Sequence, residues 1–194
     1  AAGAAPADVP AGSYRALTKP VASNVGMGKA EVIEFFGYWC PHCNHFEPEF
    51  EAWVKSNPAG IIVRRVPVAF RPEMAPLQRT YFALESLNLL DSMHGKVFDA
   101  IHKEKKELFT DEAVLAWAAT QPELGDKFAK AYKDAGMQAK LTQADELAKA
   151  IEIDGVSSFG VAGRYYVDGT LAQNNMTNAL NTVTKLAQNA ARGG

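Results

Sequence analysis

The chain has 194 residues, a hydrophobic fraction of 47% and a formal net charge of −2. That length suits one domain, or one domain with an insertion, and buries enough core to fold without disulfide staples. The charge argues against a general nucleic-acid binder, and no apolar run reaches the roughly 18 residues of a membrane span. There are two cysteines, Cys40 and Cys43. In a chain that needs no staple they are expected to do chemistry.

The opening Ala1-Ala2-Gly3-Ala4-Ala5-Pro6-Ala7 lacks a basic n-region and an apolar h-region. It reads as a mature exported form with its signal peptide removed, or as an expression scar, and residues 1–12 are expected to be mobile. An exported setting favours disulfide chemistry. Tyr14 to Leu17 reads as a short edge strand, stopped by Lys19-Pro20. Glu31 to Phe36 is the strongest strand signal, a β-branched and aromatic run between a Gly-rich turn and Gly37. A central strand buried on both faces makes Glu34 conspicuous.

Pro41 suits the first position of a helix that should run to about Ser56, with Phe46, Phe50 and Trp53 on its buried face. Pro48 inside it should kink the axis. Ile61 to Val66 gives a second apolar strand, and the strand–helix–strand order implies a right-handed parallel crossover. Residues 74–153 then read as a helical insertion of five amphipathic segments. These lie near 74–90, 94–103, 111–119, 123–135 and 138–153, with breaks at Gly95, Gln121-Pro122 and Gly136. Strand texture returns on either side of Ala162-Gly163, a hairpin turn, and a last helix spans about 175–191. Residues 13–73 and 154–194 therefore form one α/β domain, a small mixed sheet flanked by helices and interrupted by the insertion.

A Cys-x-x-Cys at a helix start puts Cys40 where free N–H groups and the helix dipole favour an anion. His42 adds positive potential beside it. Cys40 is thus the expected nucleophile, and Cys43, further from solvent, the resolving thiol. Each unit by which its pKa falls below ambient pH favours the reduced form by about 1.4 kcal/mol. For a two-electron couple this makes the disulfide about 30 mV more oxidising. Haem attachment would need His directly after the second cysteine, where Asn44 stands. A zinc site would have to recruit His45 and His94 or His102, and a structural disulfide over so short a loop would stabilise little.

Glu34-Phe35-Phe36-Gly37-Tyr38-Trp39-Cys40-Pro41-His42-Cys43 resembles the active-site segment of the DsbA family of periplasmic thiol:disulfide oxidoreductases. The resemblance extends to the first strand, the helical insertion and the Gly155 to Tyr165 stretch. It implies a thioredoxin-like mixed sheet with an inserted all-helical domain. It also implies catalytic Cys40, Pro41, His42 and Cys43, and no cofactor or metal beyond the redox-active disulfide. The disulfide would pass to reduced, newly exported proteins in the periplasm and be regenerated by an inner-membrane, quinone-linked DsbB-like partner. No dimerisation segment is evident, so a monomer is expected. A disulfide isomerase or reductase of the same fold, or a peptide-binding chaperone, are the alternatives.

The resemblance further makes Glu34 a modulating acid with a basic counterpart on the next strand, Arg64 or else Arg65. The family has Gly-Val-Pro-x-Phe where this chain has Gly155-Val156-Ser157-Ser158-Phe159, so serine stands at the expected cis-proline. A cis non-proline bond costs about 2.5–4 kcal/mol, so Val156–Ser157 should be trans or strained, and turnover altered. Tyr38, Trp39 and Phe159 are candidates for an exposed apolar rim that grips unfolded substrate. His102, beside Lys103 to Lys106, reads as a solvated helix end, and Trp53 and Trp117 as core.

Overall fold

The computed structural model describes residues 5–194. Its contacts divide the chain into two compact units. The first takes the chain up to Phe36 together with His45–Val66 and Ala148–Gly194; the second takes Gly37–Asn44 and Pro67–Leu147.

The first unit is built on a five-stranded sheet in the order β1-β5-β4-β2-β3. The strands are β1 (Arg15–Ala16), β2 (Ala30–Phe36), β3 (Ile61–Pro67), β4 (Ser158–Val161) and β5 (Tyr165–Asp168). β2 lies between β4 and β3 and is buried along nearly its whole length, as its unbroken apolar run requires. It pairs antiparallel with β4, with Val32 opposite Val161 and Glu34 opposite Phe159. β4 turns into β5 over Ala162 and Gly163, both at positive φ (55° and 67°), and Arg164 N–H donates to Val161 O at 3.0 Å. The register sets Val161 opposite Tyr165, so Arg164 joins Ala162 and Gly163 in a three-residue hairpin loop.

Helix α1 (Pro41–Lys55) joins β2 to β3 and continues through Pro48. Helix α7 (Met176–Ala191) is capped by Asn175, whose side chain accepts the Asn178 N–H, and packs on β2, β4 and β5. Phe46 and Phe50 from α1 meet Phe159 from β4, with Val183 and Leu186 of α7 in the same cluster. Each such side chain contributes about 1.5–3 kcal/mol by burial. The expected loose start lies partly outside the described residues, and from residue 5 onward it is tied down. Val9 is buried in this cluster, Ala11–Ser13 form a 3-10 turn, and Lys185 pairs with Asp8 at 3.3 Å.

The second unit carries α2 (Ala75–Ser86), α3 (Leu90–His102), α4 (Asp111–Ala119), α5 (Gly125–Tyr132) and most of α6 (Met137–Ile151). Helix α2 packs against α3, α4 and α5. Thr110 caps α4 by accepting the Ala113 N–H, with Asp111 and Glu112 in the first turn. Gly95 does not break α3 as expected: it sits mid-helix between the buried pairs Met93–His94 and Val97–Phe98. Packing on both sides outweighs the roughly 1 kcal/mol that glycine costs there. No helix of the described residues is long and apolar enough to cross a membrane.

Candidate functional site

Past Phe36 the strand cannot continue, because Gly37 opens a turn in which Cys40 N–H donates to Gly37 O at 3.1 Å. Cys40 then caps α1 through its sulfur. Cys43 N–H donates to Cys40 Sγ at 3.3 Å, and Asn44 N–H to Cys40 O at 3.1 Å. Pro41, the first helical residue, has no N–H to satisfy. Both thiols are buried, Cys40 at 4% and Cys43 at 2% exposure, so solvent access hardly distinguishes them.

These contacts hold the Cys40 thiol well below its ordinary value, at about 6. The largest cause is the hydrogen bond from the Cys43 side chain; burial opposes it. The backbone N–H groups of Cys43 and His42 come next, and the charge of His42 last. The partner thiol and the helix turn thus do more than the histidine that drew attention in the sequence.

The turn before Cys40 is pinned by aromatic residues. Tyr38 is buried at 1% exposure among Tyr81, His94 and Phe98, so it is core and not part of an exposed rim. Its hydroxyl lies 2.6 Å from His94 Nδ1, and its carbonyl 2.6 Å from His102 Nε2. His102 is therefore partly buried and bonded, not the solvated helix end expected from the lysines after it. Trp39 is half-buried, donates from Nε1 to Val68 O at 3.1 Å, and meets Phe70 edge-on. Phe70 is 51% exposed and went unnoticed in the sequence, where it is a lone aromatic in a Pro-containing loop.

In the first unit, Glu34 is buried at 1% exposure, and its counterpart is Arg65. Arg65 Nε lies 3.5 Å from Glu34 Oε1, and Nη2 lies 2.7 Å from Glu47 and 3.0 Å from Glu51. Arg64, the residue favoured from the sequence, is exposed, because alternation along β3 turns it to the other face. Burial pushes the Glu34 carboxyl well up, Glu47 and Glu51 push the same way, and Arg65 only partly offsets them. Burial also opposes the Arg65 charge, but Glu34, Glu47 and Glu51 together hold it firmly protonated.

The loop before β4 is also in this unit. The Val156–Ser157 peptide is cis, and Ser157 is buried. Tyr166 OH accepts the Asp154 N–H at 3.1 Å and donates to Asp168 at 2.7 Å, fixing the start of that loop. Phe159 is fully buried against Phe46 and Phe50, so it too is core and not rim. Among the described residues no three His, Cys, Asp or Glu side chains group as a metal site would require.

The model of the DSBA-like thioredoxin domain family matches residues 31–181. The chain belongs to the DsbA family. It is 41% identical over 173 residues to the thiol:disulfide interchange protein DsbA of Bordetella parapertussis, covering 89% of this chain and 82% of that one. The crystal structure of Pseudomonas aeruginosa DsbA superposes with a TM-score of 0.83 at 32% identity, covering 94% of this chain and 95% of that one. The oxidoreductase NmDsbA1 from N. meningitidis also gives 0.83, at 30% identity, covering 98% of each. This DsbA-family chain is thus a thiol:disulfide oxidoreductase with a thioredoxin-like fold.

Proposed function

We propose that Cys40 and Cys43 form the exchanging disulfide and that the protein works as an oxidase on newly exported chains. A substrate thiolate attacks Cys40 Sγ. The Cys40–Cys43 bond breaks, its electron pair leaves on Cys43, and a mixed disulfide joins the substrate to Cys40. A second substrate thiolate attacks the substrate sulfur of that bond and expels Cys40 as a thiolate. The substrate loses two electrons, and the protein holds them as two reduced cysteines. A DsbB-like, quinone-linked membrane protein would take them back in the periplasm, and the enzyme would act as a monomer without a bound cofactor.

The observation that carries this reading is the placement of Cys40 at the start of α1, where its sulfur accepts the Cys43 N–H at 3.3 Å and its pKa is lowered to about 6. A thiol that titrates at about 6 is a good leaving group and is about nine-tenths ionised at pH 7, which favours the reduced enzyme and so makes the disulfide a donor. Pro41 and His42 serve by shaping and charging the first turn of α1. The decisive test is the pH titration of thiolate absorbance in the reduced protein, repeated with Cys40→Ala. A midpoint near 6 that vanishes in the variant, together with loss of oxidase turnover, is the expected result. A midpoint near the ordinary thiol value of about 8.5 would remove the oxidant reading.

Modulating roles for Glu34, Arg65, Val156 and Ser157 belong to the same proposal. Serine brings a hydroxyl and an N–H where the family carries proline, and Ser157 is buried in its loop. The expected consequence is slower resolution of the mixed disulfide. Trapping that intermediate in the parent and in Ser157→Pro measures it; equal lifetimes would end the idea. Of the three rim candidates, Trp39 alone keeps the role, now together with exposed Phe70.

A further inference from the structure

His94, Phe98 and His102 recur every four residues along α3 and so share one stripe of that helix. All three meet the same partner. The His94 imidazole contacts the Tyr38 hydroxyl, the Phe98 ring packs edge-on against the Tyr38 ring at 4.9 Å, and the His102 imidazole contacts the Tyr38 carbonyl. A carbonyl oxygen only accepts, so His102 Nε2 carries the hydrogen in this bond. Tyr38 is the second residue of the Gly37–Cys40 turn, and it is held at both its main-chain and side-chain ends.

We propose that His94 and His102 are positioning residues for the disulfide-exchange reaction: together they clamp Tyr38 and so fix the turn that aims Cys40 Sγ at the first N–H groups of α1. The contacts that acidify Cys40 are short-range and directional, from the Cys43 thiol and the N–H groups of Cys43 and His42. A turn free to rotate about Tyr38 would let Cys40 leave that alignment for part of the time. The helical unit thereby acts on the cysteines through Tyr38. One face of α3 sets the geometry on which their chemistry depends.

This proposal rests on Cys40 being the reactive thiol, but its test reads a difference between variants and parent. In the reduced protein, His102→Leu removes the donor to the Tyr38 carbonyl, and His102→Gln keeps an N–H near the same place. Tyr38→Phe removes only the hydroxyl that His94 holds. The thiolate midpoint of Cys40 is expected to rise by about half a unit or more in His102→Leu and in Tyr38→Phe, and to return toward the parent value in His102→Gln. Cooperative thermal unfolding identifies the folded variants. If either His102→Leu or Tyr38→Phe fails to fold, the other carries the measurement. An unchanged midpoint in a folded variant, or an equal shift in His102→Leu and His102→Gln, would overturn the clamp. An ordinary midpoint in the parent would instead count against the oxidase reading.

Discussion

The two units bury polar groups in opposite ways. In the first, Glu34, Arg65, Glu47 and Glu51 form an ionic cluster of three acids to one base, and neither Glu34 Oε1 nor Arg65 Nε makes a hydrogen bond. In the second, Tyr38 sits between two imidazoles at 2.6 Å on each side. Ionic burial in poor geometry leaves a group whose charge is expensive and which therefore titrates away from its usual range. Short directional bonds fix a conformation instead. One arrangement suits tuning and proton uptake, the other suits aim.

Breaking the ionic cluster at its centre should have the largest effect. Arg65→Leu leaves Glu34 buried without a cation and is expected to cost about 3–5 kcal/mol in denaturant unfolding. A loss under about 1 kcal/mol would mean the acids are already protonated or hydrated. On the other side, His94→Leu strands the Tyr38 hydroxyl in a buried site, for about 1–3 kcal/mol. A loss near zero there would mean the hydroxyl finds another acceptor.

Glu34→Gln is a smaller and more discriminating test, because it should stabilise. The folded state binds the Glu34 proton more tightly than the unfolded state does. Its contribution is therefore fully present below the ordinary carboxylate pKa of about 4.3 and is lost as pH rises through the raised folded value. Glu34→Gln should flatten that fall and be more stable than the parent at pH 7 by about 1 kcal/mol, with the advantage shrinking toward pH 4. A variant less stable at pH 7 would show that the Arg65 attraction outweighs burial. Smallest of all, Phe70→Ser removes an exposed ring and should change stability by no more than about 0.5 kcal/mol. A much larger loss would mean Phe70 braces Trp39 as firmly as the histidines brace Tyr38.

Much of this could be read from sequence because it depends on local patterns. The α4 segment 111–119 was legible from its apolar spacing, and the structure adds the cap at Thr110 with Asp111 and Glu112 in the first turn. The hairpin followed from Ala162-Gly163, and the thioredoxin-like frame from strands set around one Cys-x-x-Cys. What escaped depends on parity or distance. Ile61-Ile62-Val63 is apolar throughout, so it gives no phase from which to decide whether Arg64 or Arg65 faces Glu34. The rim expectation for Phe159 fails because β4 is buried on both faces and leaves no outward side. The link from His102 to Tyr38 spans 64 positions, and the lysines that follow His102 masked it. The four-residue recurrence of His94, Phe98 and His102 was the available signal, and it looked like ordinary amphipathicity.

Gly37 carries a consequence for how relatives of this chain can vary. A Cβ built there would fall 2.3 Å from the Trp39 indole, so any side chain at 37 would displace that ring from its place against Val68. Positions 37 and 39 are therefore not free to drift separately. A homologue with any larger residue at the first is expected to have given up the large aromatic at the second, and with it the indole bond to the Val68 carbonyl. The covariation of these two columns, both outside the Cys-x-x-Cys itself, would mark which descendants keep this way of holding the nucleophile and which have found another.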